Sequence, residues 1–267
     1  IIEILKNFSS KNEIPTIIKK EKKNLGLQKN IIKGVDWVLK SEKKIIVLED
    51  DTIPSNSFFK FCNFYLKLFE KKDKIMHISG TNFVNNNNHN FYFSKFPDVV
   101  GWATWRNRWS KLVRSIDMNK ILESKKVESY YFHNDLISEW FHLYLYREVL
   151  TNRGLWSTWW ALTILLNDGI SINPTKNLVF HDGYELKDDP EHFDKSYLFK
   201  KKYKLENMKK LKYFKSDEIY KKIYDDKNFK LIQTVDPFFK KINLKWKLKL
   251  FFIKKNILKL NKKLFRN

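Results

Sequence analysis

Ile45-Ile46-Val47-Leu48-Glu49-Asp50-Asp51-Thr52-Ile53-Pro54 is an apolar run that ends abruptly on three consecutive carboxylates. Four aliphatic residues in a row read as a strand buried on both faces, as in a parallel sheet covered by helices. Acids at its carboxyl end lie where open α/β sheets bind ligands, because the loops leaving the strands form a crevice there. Side chains two apart on a strand share a face and adjacent ones do not. Three neighbouring acids therefore converge only if the backbone turns, and Pro54 supplies the expected turn. One carboxylate can then hold a divalent cation while the others reach ligand hydroxyls. The same letters also fit a solvated acidic loop after a strand.

The flanks extend this pattern. Upstream, Asn24-Leu25-Gly26 forms a glycine-containing turn that runs into an amphipathic helix ending before the strand. Downstream, Ser57 to Glu70 reads as a helix, Ile75-Met76-His77-Ile78-Ser79-Gly80 as a strand, and Asn177 to Phe180 as a further strand. At the amino terminus, Ile1 to Phe8 reads as the end of a helix before a strand over Ile14 to Ile18. Helix, acid-tipped strand, helix, strand is an α/β order with right-handed crossovers.

From Asn24 to about Tyr184 the chain resembles the GT-A-fold nucleotide-sugar glycosyltransferases, and within them a bacterial group like the N-acetylglucosaminyltransferase that initiates complex N-glycans. The resemblance rests on the order of six features: Asn24-Leu25-Gly26, Glu49-Asp50-Asp51, His77-Ile78-Ser79-Gly80, Gly101-Trp102-Ala103-Thr104-Trp105-Arg106, a Trp-rich helix near Trp156, and Gly169-Ile170-Ser171-Ile172-Asn173-Pro174. It implies a mixed, mainly parallel sheet flanked by helices. It also implies a catalytic domain over residues 1–205 whose first strand unit is missing at the amino end, so that a central sheet edge is left uncovered. By the same resemblance Asp51 binds Mn2+ or Mg2+, and Glu49 and Asp50 face the donor sugar and nucleotide. Lys29, one turn into the helix, is placed to meet a diphosphate or stands as a solvated charge. Asn24 is a turn residue that borders the nucleotide.

Trp102, Trp105 and Arg106 are expected beside the donor and acceptor cleft. Indole faces stack on sugar rings and the guanidinium donates to hydroxyls or phosphate. The alternative is that Trp102, Trp105 and Trp109, spaced by three and four, form the core face of a short helix. In related enzymes an Asp just after the first Trp of the Trp-rich helix is the general base; here the segment reads Trp156-Ser157-Thr158-Trp159-Trp160. Trp156 and Ser157 therefore line the expected acceptor side, but a serine hydroxyl needs a partner to act as a base. Candidates for the base are Asp182, Asp135 and His181. Asp182, in His181-Asp182-Gly183, follows a strand that would end on the acidic side of the sheet if parallel. An Asp-Gly pair is also a common turn.

Composition bounds the remaining possibilities. A chain of 267 residues with 43% hydrophobic and 16% aromatic content can bury a full core. A single cysteine, Cys62, excludes an internal disulfide and reads as a core residue. The net charge of +22 is uneven: residues 238–267 carry eleven Lys/Arg and no acid, which is half of it. Apolar residues striped between those lysines read as a segment lying on an anionic membrane surface, within a basic helical extension over 206–267. A packed helix with a solvated lysine face is the alternative. Only six of the 52 basic residues are arginine and no reading motif occurs, so nucleic acid is not the expected partner. The function expected is transfer of a sugar from a nucleotide diphosphate to a glycan or lipid-linked acceptor, in the cytoplasm at the inner membrane face. A catalytically inactive carbohydrate binder is the alternative.

Overall fold

The computed structural model describes residues 2–13, 15–82, 90–114, 156–182, 206 and 208. In chain order these form α1 (Ile2–Asn12), α2 (Leu27–Ser41), β1 (Lys44–Val47), β2 (Thr52–Pro54), α3 (Asn56–Leu68), β3 (Ile75–Ser79), β4 (Phe91–Ser94), β5 (Trp102–Trp105), the short α4 (Arg106–Trp109), α5 (Trp156–Leu166), β6 (Ile170–Pro174) and β7 (Val179–His181). The architecture is mixed α/β, with helices on both faces of a mixed sheet.

The main sheet has the order β1-β5-β3-β6-β4. Only β3 and β6 pair in parallel; β1–β5, β3–β5 and β4–β6 are antiparallel. The expectation of a mainly parallel sheet is therefore corrected: β1, β3 and β6 run one way, and β5 enters between β1 and β3 running against both. The apolar run over β1 is not buried on both faces either. Its four residues are half-buried, because β1 is an edge strand with β5 on one side. Its outer side borders a groove of about 370 Å³ floored by α2 and walled by Lys19 and Glu21. The strand expected over Ile14 to Ile18 does not form, and residues 15–20 carry no regular structure.

One face of the sheet is covered by α3. Phe58, Phe61, Cys62, Tyr65, Leu66 and Phe69 recur at helical spacing and pack on Ile78, Phe91, Phe93, Ala103 and Trp105. Burial raises the Cys62 thiol pKa well above its ordinary value, as befits an inert core residue. The other face is covered by α2, through Val35 and Leu39, and by α5, through Trp156, Trp160 and Ile164, over Met76, Trp102 and Trp109. Eight of the eleven residues of α5 are apolar, which suits a helix buried over most of its surface. Among the described residues no helix is long and apolar enough to cross a membrane. Glu206 and Met208 lie against this body: the Glu206 amide donates to Asn177 O at 2.7 Å and the Met208 amide to Ser57 Oγ at 2.8 Å.

Candidate functional site

The acidic strand end turns as the spacing of its side chains requires, but not at Pro54. The turn is at Asp50-Asp51 and is closed by Thr52, whose amide and hydroxyl donate to Glu49 O at 3.1 and 2.6 Å. Pro54 lies in β2, which pairs antiparallel with β7 in the register Thr52↔His181, Ile53↔Phe180 and Pro54↔Val179. The final strand, which would have ended on the acidic side of the sheet had it run parallel, forms this separate two-stranded sheet instead. Antiparallel pairing nevertheless brings the same residues to the acids. His181 Nε2 lies 3.3 Å from Asp51 Oδ2, and the Asp182 amide donates to Asp51 O at 2.8 Å.

A chain of backbone bonds fastens this small sheet to the carboxyl end of the large one. The Ser55 amide donates to Leu178 O, the Leu178 amide to Gly80 O, and the Gly80 amide to Gly101 O. Both glycines are required by close approach. A Cβ on Gly80 would lie 2.5 Å from Val179 Cγ2 and 2.7 Å from Gly101 O, and one on Gly101, at φ +63, would lie 2.7 Å from Val179 Cγ2. Val179 is thus gripped by two glycines, which fixes the strand that carries His181.

The amino end of α2 completes this side. Gly26, at φ 74, precedes the helix, and Asn24 Oδ1 accepts from the Gly26 amide at 2.8 Å, so Asn24 is a turn residue. Lys29 is exposed in the first turn of α2, and Asp50 and Asp182 are exposed beside the half-buried Glu49 and Asp51. Asp135 lies outside the described residues, as do residues 238–267.

The tryptophan segment is corrected. Trp102 and Trp105 belong to β5 rather than to a helix, and three positions apart on a strand they point to opposite faces. They are 0% and 2% exposed, so neither offers a ring to a sugar. Trp105 donates to Leu66 O, and Trp156 is buried as well. Arg106 stands at the far end of β1 from the acids, with its amide on Lys43 O and Nε on Glu42 O, because β5 runs against β1. Ser157 is half-buried on α5.

Beneath the site lies a buried polar set that sequence reasoning passed over. His77, 0% exposed, accepts from Trp160 Nε1 at its Nδ1 (3.0 Å), so the proton is on Nε2, which donates to Asp98 O at 2.7 Å. Its ring stacks on Trp102 at 5.5 Å, and Trp102 stacks on Trp156 at 5.4 Å. Burial lowers the His77 pKa to about 4, opposed by the bond to the Asp98 carbonyl. Burial raises that of Asp98 to about 6, opposed by the Val100 amide and the nearby Thr81 hydroxyl. Thr81 Oγ1 and Trp102 Nε1, at the carboxyl ends of β3 and β1, find no well-formed hydrogen bond among the described residues. The sequence signal for this set is a histidine inside an otherwise apolar strand.

Asp51 and His181 suit a divalent cation as a donor set. A metal–oxygen or metal–nitrogen bond of about 2.1 Å puts adjacent ligand atoms about 3 Å apart, close to the spacing seen here. Among the described residues no group of three or more His, Cys, Asp or Glu side chains gathers at metal-ligand spacing. No protein-family model matches this chain, and no curated protein matches it significantly.

Proposed function

We propose that the chain is a metal-dependent glycosyltransferase that passes a hexose or N-acetylhexosamine from a nucleotide diphosphate to a glycan or lipid-linked acceptor with inversion. The observation that carries this reading is the meeting of Asp51 with His181 and Asp182 at the carboxyl end of β1. Asp51 holds Mn2+ or Mg2+, which when bound offsets the charge gathering on the diphosphate as the sugar departs. Glu49, Asp50, Asn24 and Lys29 orient the donor. Asp182, exposed and tied to Asp51 through the backbone, takes the proton of the acceptor hydroxyl. The lysine-rich segment 238–267 holds the protein on the anionic inner face of the membrane.

One observation favours a second reading, a binder that does not turn over its ligand: the first turn of α5 carries Ser157 and no carboxylate. Calorimetric titration with nucleotide sugars, with and without Mn2+, separates the cases. Metal-dependent binding of one donor, lost in Asp51→Ala, is expected. Donor binding indifferent to both the metal and Asp51 overturns the assignment. Binding without product formation selects the second reading.

A further inference from the structure

We propose that the outer face of α3 is a membrane-contact surface made by the folded body itself. Phe59 and Phe64 enter the boundary of an anionic bilayer, and Lys60, Lys67 and Lys71 meet its headgroups. The proposal is independent of sugar transfer and adds an orientation to the contact assigned to residues 238–267.

The inner side of α3 packs on the sheet. On the opposite side Lys60, Phe64 and Lys67 follow one another at i, i+4 and i+7, all exposed, and exposed Lys71 continues in the turn after the helix. Phe59, beside this stripe, is 40% exposed and Phe64 36%. Each ring stands edge-on to a buried neighbour, Phe59 to Phe58 at 5.5 Å and Phe64 to Tyr65 at 5.0 Å. The rings are thus propped outward and lose little freedom on meeting a partner.

Scattered exposed rings are ordinary on a protein surface. Their electrostatic surroundings set these two apart. No acid occurs from Asn56 to Phe69. The next two acids are paired within the body: Glu70 Oε2 lies 3.3 Å from Lys44 Nζ, and Asp73 Oδ1 lies 3.2 Å from Arg108 Nη2. Lys60, Lys67 and Lys71 have no ion-pair partner among the described residues. Phenyl rings among unpaired lysines make an interfacial helix face, with the rings at the acyl boundary, the lysine stems along it and the ammonium groups on phosphate. An acidic protein would match the lysines and leave both rings without an apolar counterpart, whereas an anionic bilayer supplies both. Only Ser55 separates α3 from β2, the strand that leaves the acidic turn. A bilayer along α3 therefore fixes how that turn is presented to lipid.

An environment-sensitive fluorophore on the whole chain tests the orientation. It is placed at Phe64→Cys and, separately, at Lys40→Cys on α2, which covers the other face of the sheet. Cys62 is buried with its thiol pKa raised, so it takes no label. With vesicles of about three parts phosphatidylcholine to one of phosphatidylglycerol, the label at 64 is expected to shift to the blue and to be quenched by nitroxide lipid, while the label at 40 stays unchanged. The unlabelled variant Lys60→Gln/Lys67→Gln/Lys71→Gln is expected to bind these vesicles about a hundredfold more weakly at low salt. It keeps both rings and the core, so it tests the surface even if Phe64→Cys folds poorly. A vesicle-bound chain whose label at 64 remains in water overturns the proposal and leaves the contact of 238–267 standing. A label at 40 that shifts as far, a triple variant that binds like wild type, or shielding of residue 64 by polyglutamate but not by vesicles overturns it as well. Failure of the whole chain to bind anionic vesicles removes both membrane contacts and leaves the sugar-transfer reading untouched.

Discussion

Buried His77 and half-buried Asp98 titrate in opposite senses, and replacing either should unmask the titration of the other. The His77 pKa falls from 6.5 to about 4 on folding, so its contribution is fully present above pH 6.5 and is lost as pH falls toward 4. That of Asp98 rises from 3.8 to about 6, so its contribution is fully present below pH 3.8 and is lost as pH rises toward 6. Each displacement corresponds to roughly 3 kcal/mol, an upper figure for Asp98 because that residue retains some exposure. Between pH 4 and 6 the unfolded chain takes up a proton at histidine while the folded chain holds one at aspartate. The two slopes, each approaching about 1.4 kcal/mol per pH unit, then cancel. His77→Gln should therefore lose stability relative to wild type by about 2–3 kcal/mol as pH rises from 4 to 6, on top of a constant loss of its hydrogen bonds. Asp98→Asn should gain a similar amount over the same interval. Urea unfolding of the three proteins at half-unit pH steps measures this directly. If the difference between each variant and wild type is flat from pH 4 to 6.5, the two groups do not titrate as their surroundings dictate and the reasoning fails.

Gly101→Ala should cost about 2–4 kcal/mol, from the positive φ and the contact with Val179. The double variant with Val179→Ala should be more stable than the sum of the two single losses by at least about 1 kcal/mol, and additive losses in a denaturation cycle would rule out the wedge. Asp182→Asn should reduce turnover by about a hundredfold or more with donor affinity unchanged in calorimetry; an unaltered rate frees that residue of the role. A chain ending at residue 237 sheds +11 of the +22 charge and should lose most binding to anionic vesicles in a sedimentation assay, whereas equal binding by the shortened chain would place the membrane contact elsewhere.

The elements that periodicity alone defines were legible. The stripe from Phe58 to Phe69 and the compact strand Ile75–Ser79 formed within a residue or two of expectation, because burial on one face enforces the spacing. The Trp102 segment was misread for a physical reason. Spacings of three and four across Trp102, Trp105 and Trp109 are helical, yet a strand that runs into one helical turn at Arg106 gives the same spacings with the first two rings on opposite faces. Pairing partners were illegible. Nothing in the letters of Ile45–Leu48 says that an antiparallel strand lies on one side and a groove on the other. His181-Asp182-Gly183 was expected on the acidic side of the sheet on condition that its strand ran parallel; the strand runs antiparallel to β2 and still brings His181 beside Asp51. His77 was legible only as part of the strand motif His77-Ile78-Ser79-Gly80, because its role depends on Trp160 and Asp98, which only the fold brings to it.

The pairing of β2 with β7 also sets a clock. Asp51 and His181 are 130 residues apart, so their contact closes one of the longest loops in the chain. At synthesis rates of about 5–20 residues per second, roughly 6–26 s pass between the appearance of Asp51 and that of His181. Through that interval the acidic turn exists without its imidazole partner, and the main sheet also waits, since β6 arrives only eleven positions before His181. Sheet closure and the docking of β7 against β2 are thus a single late event, and a nascent chain has neither until residue 181 has been made.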